Sequence, residues 1–398
     1  MLVAVSFVIA VGFGLVAPAI PTFARSFAVS VAAASAVISA FAFMRLAFAP
    51  VSGKLVTALG ERRVFIWGIA LVGLSTGACA AASDYWQLLV LRSLGGIGST
   101  MFTVSAVALL IRLTPPSLRG RSTSLWASSF LLGSVAGPLS GGALIEISLR
   151  APFVVYAAAL FVAAAVAWRF LRHSPVAGMS GTADLPALTV REALRHRAYR
   201  AALVSNFANG WGVYGVRVSL VPLFIVEVLH RAESLAGLAL SVFAAATVGV
   251  LPVAGKLADS LGRQRPMVTG LLLTGTAMIW LGFSGEVWHF LLAALLAGAG
   301  TGLSTPAQGA TVADVIGSQA RGGPVLAVVQ MTADVGAILG PLVSGVLADH
   351  LSYGAAFALT GSVSLLAALV WLRTPETAPR AGSWRPPPPT AVPGDVTG

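Results

Sequence analysis

The chain is poor in charge. Only 10% of its 398 residues are Asp, Glu, Lys or Arg, against roughly 25% in a soluble domain. Beside a hydrophobic content of 57%, that scarcity excludes an ordinary soluble protein. Cysteine is nearly absent as well. Cys79 is the only one, so no intrachain disulfide can form, and it reads as a small core residue. The five histidines (173, 196, 230, 289 and 350) stand at the ends of apolar runs or between them, never at ligand spacing. No metal site and no cofactor is therefore expected. Paired carboxylates at catalytic spacing, a His/Asp cluster and a nucleotide-binding Walker loop are missing, which argues against an enzyme or a pump with its own ATPase. No polar segment is long enough to form a soluble sensor domain.

What is present is a series of apolar runs, each near the ~20 residues that carry a helix across a bilayer. Such unalternated runs do not suit barrel strands, so helices are the expected spanning form. The runs fall at 1–23, 31–57, 64–83, 86–111, 122–145, 151–171, 200–226, 234–257, 265–284, 287–312, 323–347 and 353–372. They predict an all-α integral membrane protein of about twelve transmembrane helices. The first run lacks a basic n-region and the others follow it, so it reads as a span and not as a signal peptide. It begins almost at Met1, and a short polar head before it is expected.

Basic residues outnumber acidic ones, 25 to 14. Given these spans, Arg25, Arg150 and Arg231 fall on one side of the membrane and Arg45, Arg92 and Arg217 fall inside it. Every other Lys and Arg falls on the opposite side. This asymmetry is the positive-inside rule and predicts that both termini are cytoplasmic. The excess is therefore topology; the partner it implies is the lipid bilayer, with no nucleic acid needed. Trp86, Trp168, Trp288 and Trp371 stand at span ends and read as interface anchors. The Ala-, Val-, Arg- and Gly-rich usage points to a bacterium and hence to its plasma (inner) membrane.

The polar, basic break 172–199 divides the spans into an N-terminal six-helix bundle (1–171) and a C-terminal one (200–373). Within it, Thr189-Val-Arg-Glu192 has the pattern of a capping box, predicting a short basic amphipathic helix along the membrane surface. The tail 374–398 carries Pro386 to Pro389 and no apolar run, so it is expected to be disordered. The two bundles repeat each other. Pro50, Gly53, Lys54, Leu55, Leu59, Gly60 and Arg63 align with Pro252, Gly255, Lys256, Leu257, Leu261, Gly262 and Arg265 at one constant offset. Arg119-Gly120 maps onto Arg321-Gly322 at that same offset, and Gly137-Pro138 onto Gly340-Pro341 one residue later. Two bundles repeated in parallel are an architecture of secondary transporters, with the substrate site between them near the midplane.

Four motifs give the chain a family likeness. The loop Gly53-Lys-Leu-Val-Thr57-Ala-Leu-Gly60-Glu-Arg62-Arg63 follows the second span, and Gly255-Lys-Leu-Ala-Asp259-Ser-Leu-Gly262-Arg263 is its second copy. The fourth span carries Leu88-x-x-x-Arg92-x-x-Gly95-Gly96-x-Gly98. The fifth carries Gly133-x-x-x-Gly137-Pro138-x-x-Gly141-Gly142, and the first Gly12-x5-Pro18-Ala-Ile-Pro21. In these the chain resembles the major facilitator superfamily, and within it the twelve-span drug:proton antiporters. The resemblance implies a functional monomer that exchanges a small-molecule substrate, drug-like and amphipathic, for protons by alternating access. It implies that the two loops latch one state; Thr57 stands where the family has an acid, so the latch would lean on Asp259. It also implies a role for Arg92 in proton coupling and makes the fifth-span glycines the antiporter motif. A packing seam is the plainer reading of those glycines. A facilitator or proton-coupled importer of a sugar or organic acid is the alternative function.

Ionisable groups inside the membrane cost roughly 2.5–3.5 kcal/mol each on insertion scales, so Arg45, Arg92, Arg217 and Asp334 are site candidates. Asp334, in mid-span, is the best placed to take and release a proton. A fixed ion pair with one of the three arginines is the competing reading. Arg45 reads as a cavity residue or as snorkelling to the inner face; Arg217 as a gate partner, a snorkelling side chain or a ligand contact. Asn206, Asn209, Trp211, Tyr214, Gln308 and Gln330 are candidate cavity residues, with helix-to-helix packing as the alternative for each. Asp314 and Glu227 read as charges near helix ends. Residues 1–60 hold no acid, and three arginines face one central acid. Neutral or weakly anionic substrates are therefore expected over lipophilic cations.

Overall fold

A computed structural model describes residues 2–113, 119–171, 188–317 and 323–377. Its long helices are α1 (Leu2–Val16, resuming after a break as Ala19–Arg25), α2 (Val31–Leu59), α3 (Glu61–Ala80), α4 (Tyr85–Leu113), α5 (Arg119–Ile145) and α6 (Ala151–Leu171) in the first half. The second half has α7 (Arg197–Glu227), α8 (Ser234–Ser260), α9 (Gln264–Gly282), α10 (Val287–Ile316), α11 (Gly323–His350) and α12 (Tyr353–Leu372). Among the described residues, 11 helices are long and apolar enough to cross a membrane; α9, which opens on Gln264-Arg265, falls short. Large apolar side chains such as Leu74, Val162, Phe170 and Leu366 point outward, while alanine and glycine fill much of the interior, as expected where the outer solvent is hydrocarbon.

Several boundaries depart from the sequence reading. The first span breaks at Pro18, which has no N–H to continue the helical ladder. The seventh starts at Arg197 and passes through a π-helical segment, Gly210–Val216, before resuming at Arg217. Three glycines in that segment, at 210, 212 and 215, accompany the widened turn. Span ten extends to Ile316 and span eleven to His350.

The two halves pack alike. In the first, α1 lies on α5, α2 on α4, and α3 on both α4 and α6; in the second, α7 lies on α11, α8 on α10, and α9 on both α10 and α12. The aligned Gly-Pro pairs occupy equivalent seams. Gly137 faces Val11 and Gly14 of α1, and Gly340 faces Trp211 of α7. Gly60 and Gly262, also aligned, both take positive φ (82° and 87°), a backbone state that L side chains resist. Between the halves, α2 packs on α11 and α5 on α8, a pairing that maps onto itself under the repeat.

The surface helix Val190–Ala193 opens with the predicted capping box: Thr189 and Glu192 bond each other's backbone N–H. The Thr189 hydroxyl, donating to the Glu192 carboxylate at 2.8 Å, and the Thr189 N–H at 3.0 Å hold that carboxyl below the ordinary range. The expected disorder of the tail does not extend to its first residues, since Glu376 and Thr377 bond the loop before α9 and Asp314. Residues 378–398, with the Pro386–Pro389 run, lie outside the described residues, as do 172–187 of the linker and Arg321-Gly322.

Candidate functional site

The mid-height contact of the halves is ionic. Arg45 of α2 places Nη2 3.2 Å from Oδ1 of Asp334 on α11, and Gln330 donates to the same carboxylate at 3.4 Å. Beside this pair, Ser39 Oγ donates to the Ile338 carbonyl across the same interface at 2.7 Å. Arg45 therefore neither snorkels nor stands free.

Arg92 is sealed inside the first half at 2% exposure. Its guanidinium lies 4.4 Å from the ring centroid of Phe41 and 6.0 Å from that of Phe13, and its Nε has no hydrogen-bond partner. Gly96, one turn on, lets the α2 backbone approach at Phe41 and Arg45, so the Arg92–Gly96 face is the one α2 packs against. No carboxylate pairs with Arg92 among the described residues.

Arg217 begins the last segment of α7. Its Nε donates to the Val213 carbonyl at 3.2 Å, its Nη1 reaches the Leu240 carbonyl at 3.5 Å, and the guanidinium lies 4.2 Å from the Phe243 ring centroid. Arg217 is thus tied to backbone and ring; of its three readings, the gate pair is not seen, since no acid pairs with it among the described residues. Tyr214, one turn before it, is 59% exposed.

The other polar candidates are mostly spent on one another. Gln308 donates to Asn206 at 2.7 Å, Asn209 donates to Gln308 at 3.1 Å, and Asn206 donates to the Val329 carbonyl. Together they tie α7, α10 and α11. Trp211 does not line a cavity. It is buried, donates to Thr360 at 3.3 Å, and fills the seam opposite Gly336 and Gly340.

One end of the molecule is closed. Arg25, at the end of α1, pairs with Glu227, at the end of α7, at 2.7 Å, and Tyr353 donates to the same carboxylate at 2.7 Å. Asp349 of α11 accepts from Val31 N at 2.9 Å and Ala32 N at 2.8 Å, capping α2 from the other half. Gly142 of α5 meets Ser234 and Gly237 of α8 in backbone contact, and Ser241 donates to the Val135 carbonyl at 2.8 Å. Of the fifth-span glycines, Gly133, Gly137 and Gly141 pack on α1, with Pro138 beside them facing Gly14; only Gly142 crosses between halves.

These lock residues were not legible as a set, though Asp349 carried a signal. An acid in the last turn of its own helix opposes the helix dipole, and such a residue needs a partner elsewhere. Glu227 is more than an end charge, because it joins three helices.

Contacts between the halves are sparser among the described residues of the basic end. A Cβ at Gly53, Gly60, Gly255 or Gly309 would meet nothing within 4 Å. Thr57 bonds only its own helix, at Gly53. Arg62 has a partner and Arg63 is exposed. Asp259 is exposed and reaches Arg263 of its own loop at 3.2 Å, and Arg263 also pairs with Asp314 at 3.2 Å. Among the described residues no latch contact joins Asp259 to the first half. The acid that engages a helix start here is Glu376, which accepts from Arg263 N at 2.8 Å and Gln264 N at 3.2 Å.

Comparison with known proteins gives one pattern. The Major Facilitator Superfamily model matches residues 2–215 and again 202–395. The multidrug resistance protein MdtG of Salmonella arizonae is 25% identical over 378 residues, covering 91% of each chain. A class G tetracycline resistance protein of Vibrio anguillarum is 28% identical over 344 residues, covering 84% of this chain and 86% of its own. Among solved structures, a bacterial homologue of the human lysosomal transporter Spinster, inward-facing and unoccupied, superposes with a TM-score of 0.74 at 16% identity over 93% of both chains. A POT family transporter in complex with 5-aminolevulinic acid superposes with a TM-score of 0.77 at 12% identity, over 93% of this chain and 94% of its own.

Proposed function

The chain belongs to the major facilitator superfamily and is a multi-pass membrane transporter; on that premise we propose that it exports small amphipathic organic molecules in exchange for protons. In this proposal the Lys- and Arg-rich end is cytoplasmic, both termini lie there, and the membrane is a bacterial plasma membrane. The transporter acts as a monomer of two bundles, 1–171 and 200–373, joined by the linker 172–199. The end locked by Arg25, Glu227 and Asp349 then faces outward, and the halves rock about the midplane to open and close it.

The observation that carries the proposal is the Arg45–Asp334 pair. Asp334 is the membrane-interior acid where the halves meet, and its bond partner belongs to the other half. A proton arriving from outside neutralises Asp334 and removes the charge that holds Arg45, freeing the halves to return inward. Release of that proton to the cytoplasm restores the pair and leaves the cavity ready for substrate. One proton moves inward per cycle and the substrate moves outward, with no covalent chemistry. Arg92 adds a fixed positive field near the proton site. The printed names of similar proteins, multidrug resistance and tetracycline resistance, support drug-like substrates, and the Gly133–Gly142 seam supports export.

The test is substrate flux in proteoliposomes under an imposed pH gradient, with Asp334→Asn beside wild type. Gradient-driven flux that vanishes in the variant supports proton exchange through Asp334. Unchanged flux in the variant rejects it.

A further inference from the structure

With Asp334 committed to Arg45, two arginines remain inside the membrane without a carboxylate among the described residues, Arg92 and Arg217. An uncompensated cation in a low-dielectric interior is costly, and it is tolerated best where a ligand of opposite charge completes it. The two sites differ in access. Arg92 is closed off under Phe41. Arg217 is only partly buried, and Tyr214, three residues before it on the same helix, is exposed.

The surface on which Arg217 opens is not lipid-facing. Its helix, α7, is the most enclosed of the apolar helices. It touches α8, α10, α11 and α12 of its own half and α1 and α2 of the other. Between Gly210 and Ile225 only residues 213, 214 and 217 are incompletely buried, at i, i+1 and i+4 and therefore on one side of the helix. On a helix so surrounded, that side faces the space between the halves. The closed end also lies well above it, since Glu227 is about ten residues and about 15 Å further along the helix.

We infer that Arg217 is the recognition residue for an acidic group on the substrate, so that the transported compounds are amphipathic organic oxyanions, such as carboxylates. The guanidinium is held ready by its bonds to the Val213 and Leu240 carbonyls and by the Phe243 ring beneath it. Neither bond uses Nη2, which is left to donate to an oxyanion. The Tyr214 hydroxyl is a second donor within reach of the same space. An ammonium-bearing molecule would meet the uncompensated charge of Arg217 and lose the same interaction.

This inference rests on the transporter reading but not on proton coupling. Its test is equilibrium binding to the full chain purified in detergent, where no gradient exists. The probes share one skeleton and differ in charge: 2-naphthoate, 2-naphthamide and 2-naphthylmethylammonium. Naphthoate is expected to bind about tenfold or more tighter than the other two. Arg217→Gln should erase that preference, with a melting transition in detergent like that of wild type showing that the variant is folded. Arg217→Lys should retain part of the preference. Preference for the ammonium, a carboxylate preference that survives Arg217→Gln, or no binding by any of the three would overturn the inference. Loss of gradient-driven flux with carboxylate binding intact would count against export coupling and leave the anion site standing.

Discussion

Asp334 and Arg45 sit 3.2 Å apart on helices of opposite halves, so the acid best placed to carry a proton is also a bond between the two moving bodies. Gaining or losing one proton there changes both charge and domain contact. Removing a single partner leaves an unpaired charge in the apolar interior. Arg45→Gln is therefore expected to lower stability by about 1–3 kcal/mol, less than a fully buried pair because both groups keep some exposure. The double variant Arg45→Gln/Asp334→Asn should recover most of that loss without recovering gradient-driven flux. Melting of the four proteins in detergent, read as a double-mutant cycle, checks this; additive losses would show that the pair is not coupled.

At the closed end, Asp349 caps α2 from the other half. Asp349→Asn keeps the shape and loses the charge, and should weaken the closed state by about 1 kcal/mol. That is about a fivefold shift in the ratio of closed to open states. Spin labels at Phe27 and Ala232, with distance distributions from pulsed electron resonance, would show a larger population of long distances. An unchanged distribution would remove Asp349 from the lock.

Gly137 and Gly340 occupy equivalent seams, and a Cβ at either would lie 2.4 Å from the Val11 carbonyl oxygen or 2.7 Å from the Trp211 carbonyl oxygen. Backbone cannot yield as a flexible side chain does. Gly137→Val and Gly340→Val should each cost about 1–3 kcal/mol or more. Gly53→Ala, made where nothing lies within 4 Å, should leave the melting temperature in place. Equal losses at all three positions would contradict the packing described here.

Glu376 caps the start of α9 through Arg263 N and Gln264 N. Glu376→Ala should cost about 0.5–2 kcal/mol and speed hydrogen exchange of the 256–266 loop. Exchange identical to wild type would mean that the tail does not hold this loop in solution.

The Thr189–Glu192 box gives the surface helix a pH dependence. Its bonds depress the Glu192 carboxyl, so its contribution is whole above the ordinary carboxylate range. It disappears as the pH falls through the lowered value. Amide exchange across 190–196 should therefore quicken on acidification, and Thr189→Ala should produce the same loss at higher pH. Exchange insensitive to both would show that the box adds nothing.

Much of this molecule was written in one dimension. Apolar run lengths determined the number of helices, because a bilayer of fixed thickness demands them. The offset between Gly60 and Gly262 determined the repeat, and both residues take the positive φ that makes glycine necessary there. Thr189 and Glu192 determined a helix start, since a capping box is local chemistry. Pairing across the interface was beyond the sequence. In uniformly apolar helices, nothing in the order of residues tells Arg45 to face Asp334 while Arg92 and Arg217 face none, or Trp211 to pack while Tyr214 stays open. The break in α7 at Gly210–Val216, Asp349 capping α2 and Glu376 capping α9 depend on groups far apart in the chain. The sequence by itself determined how many helices form and how the halves are related, because those follow from local hydrophobicity and backbone preference. Only the tertiary structure decided which charges are paired and which remain for a ligand. That depends on how the helices rotate and lean together, and is set by packing between residues hundreds of positions apart.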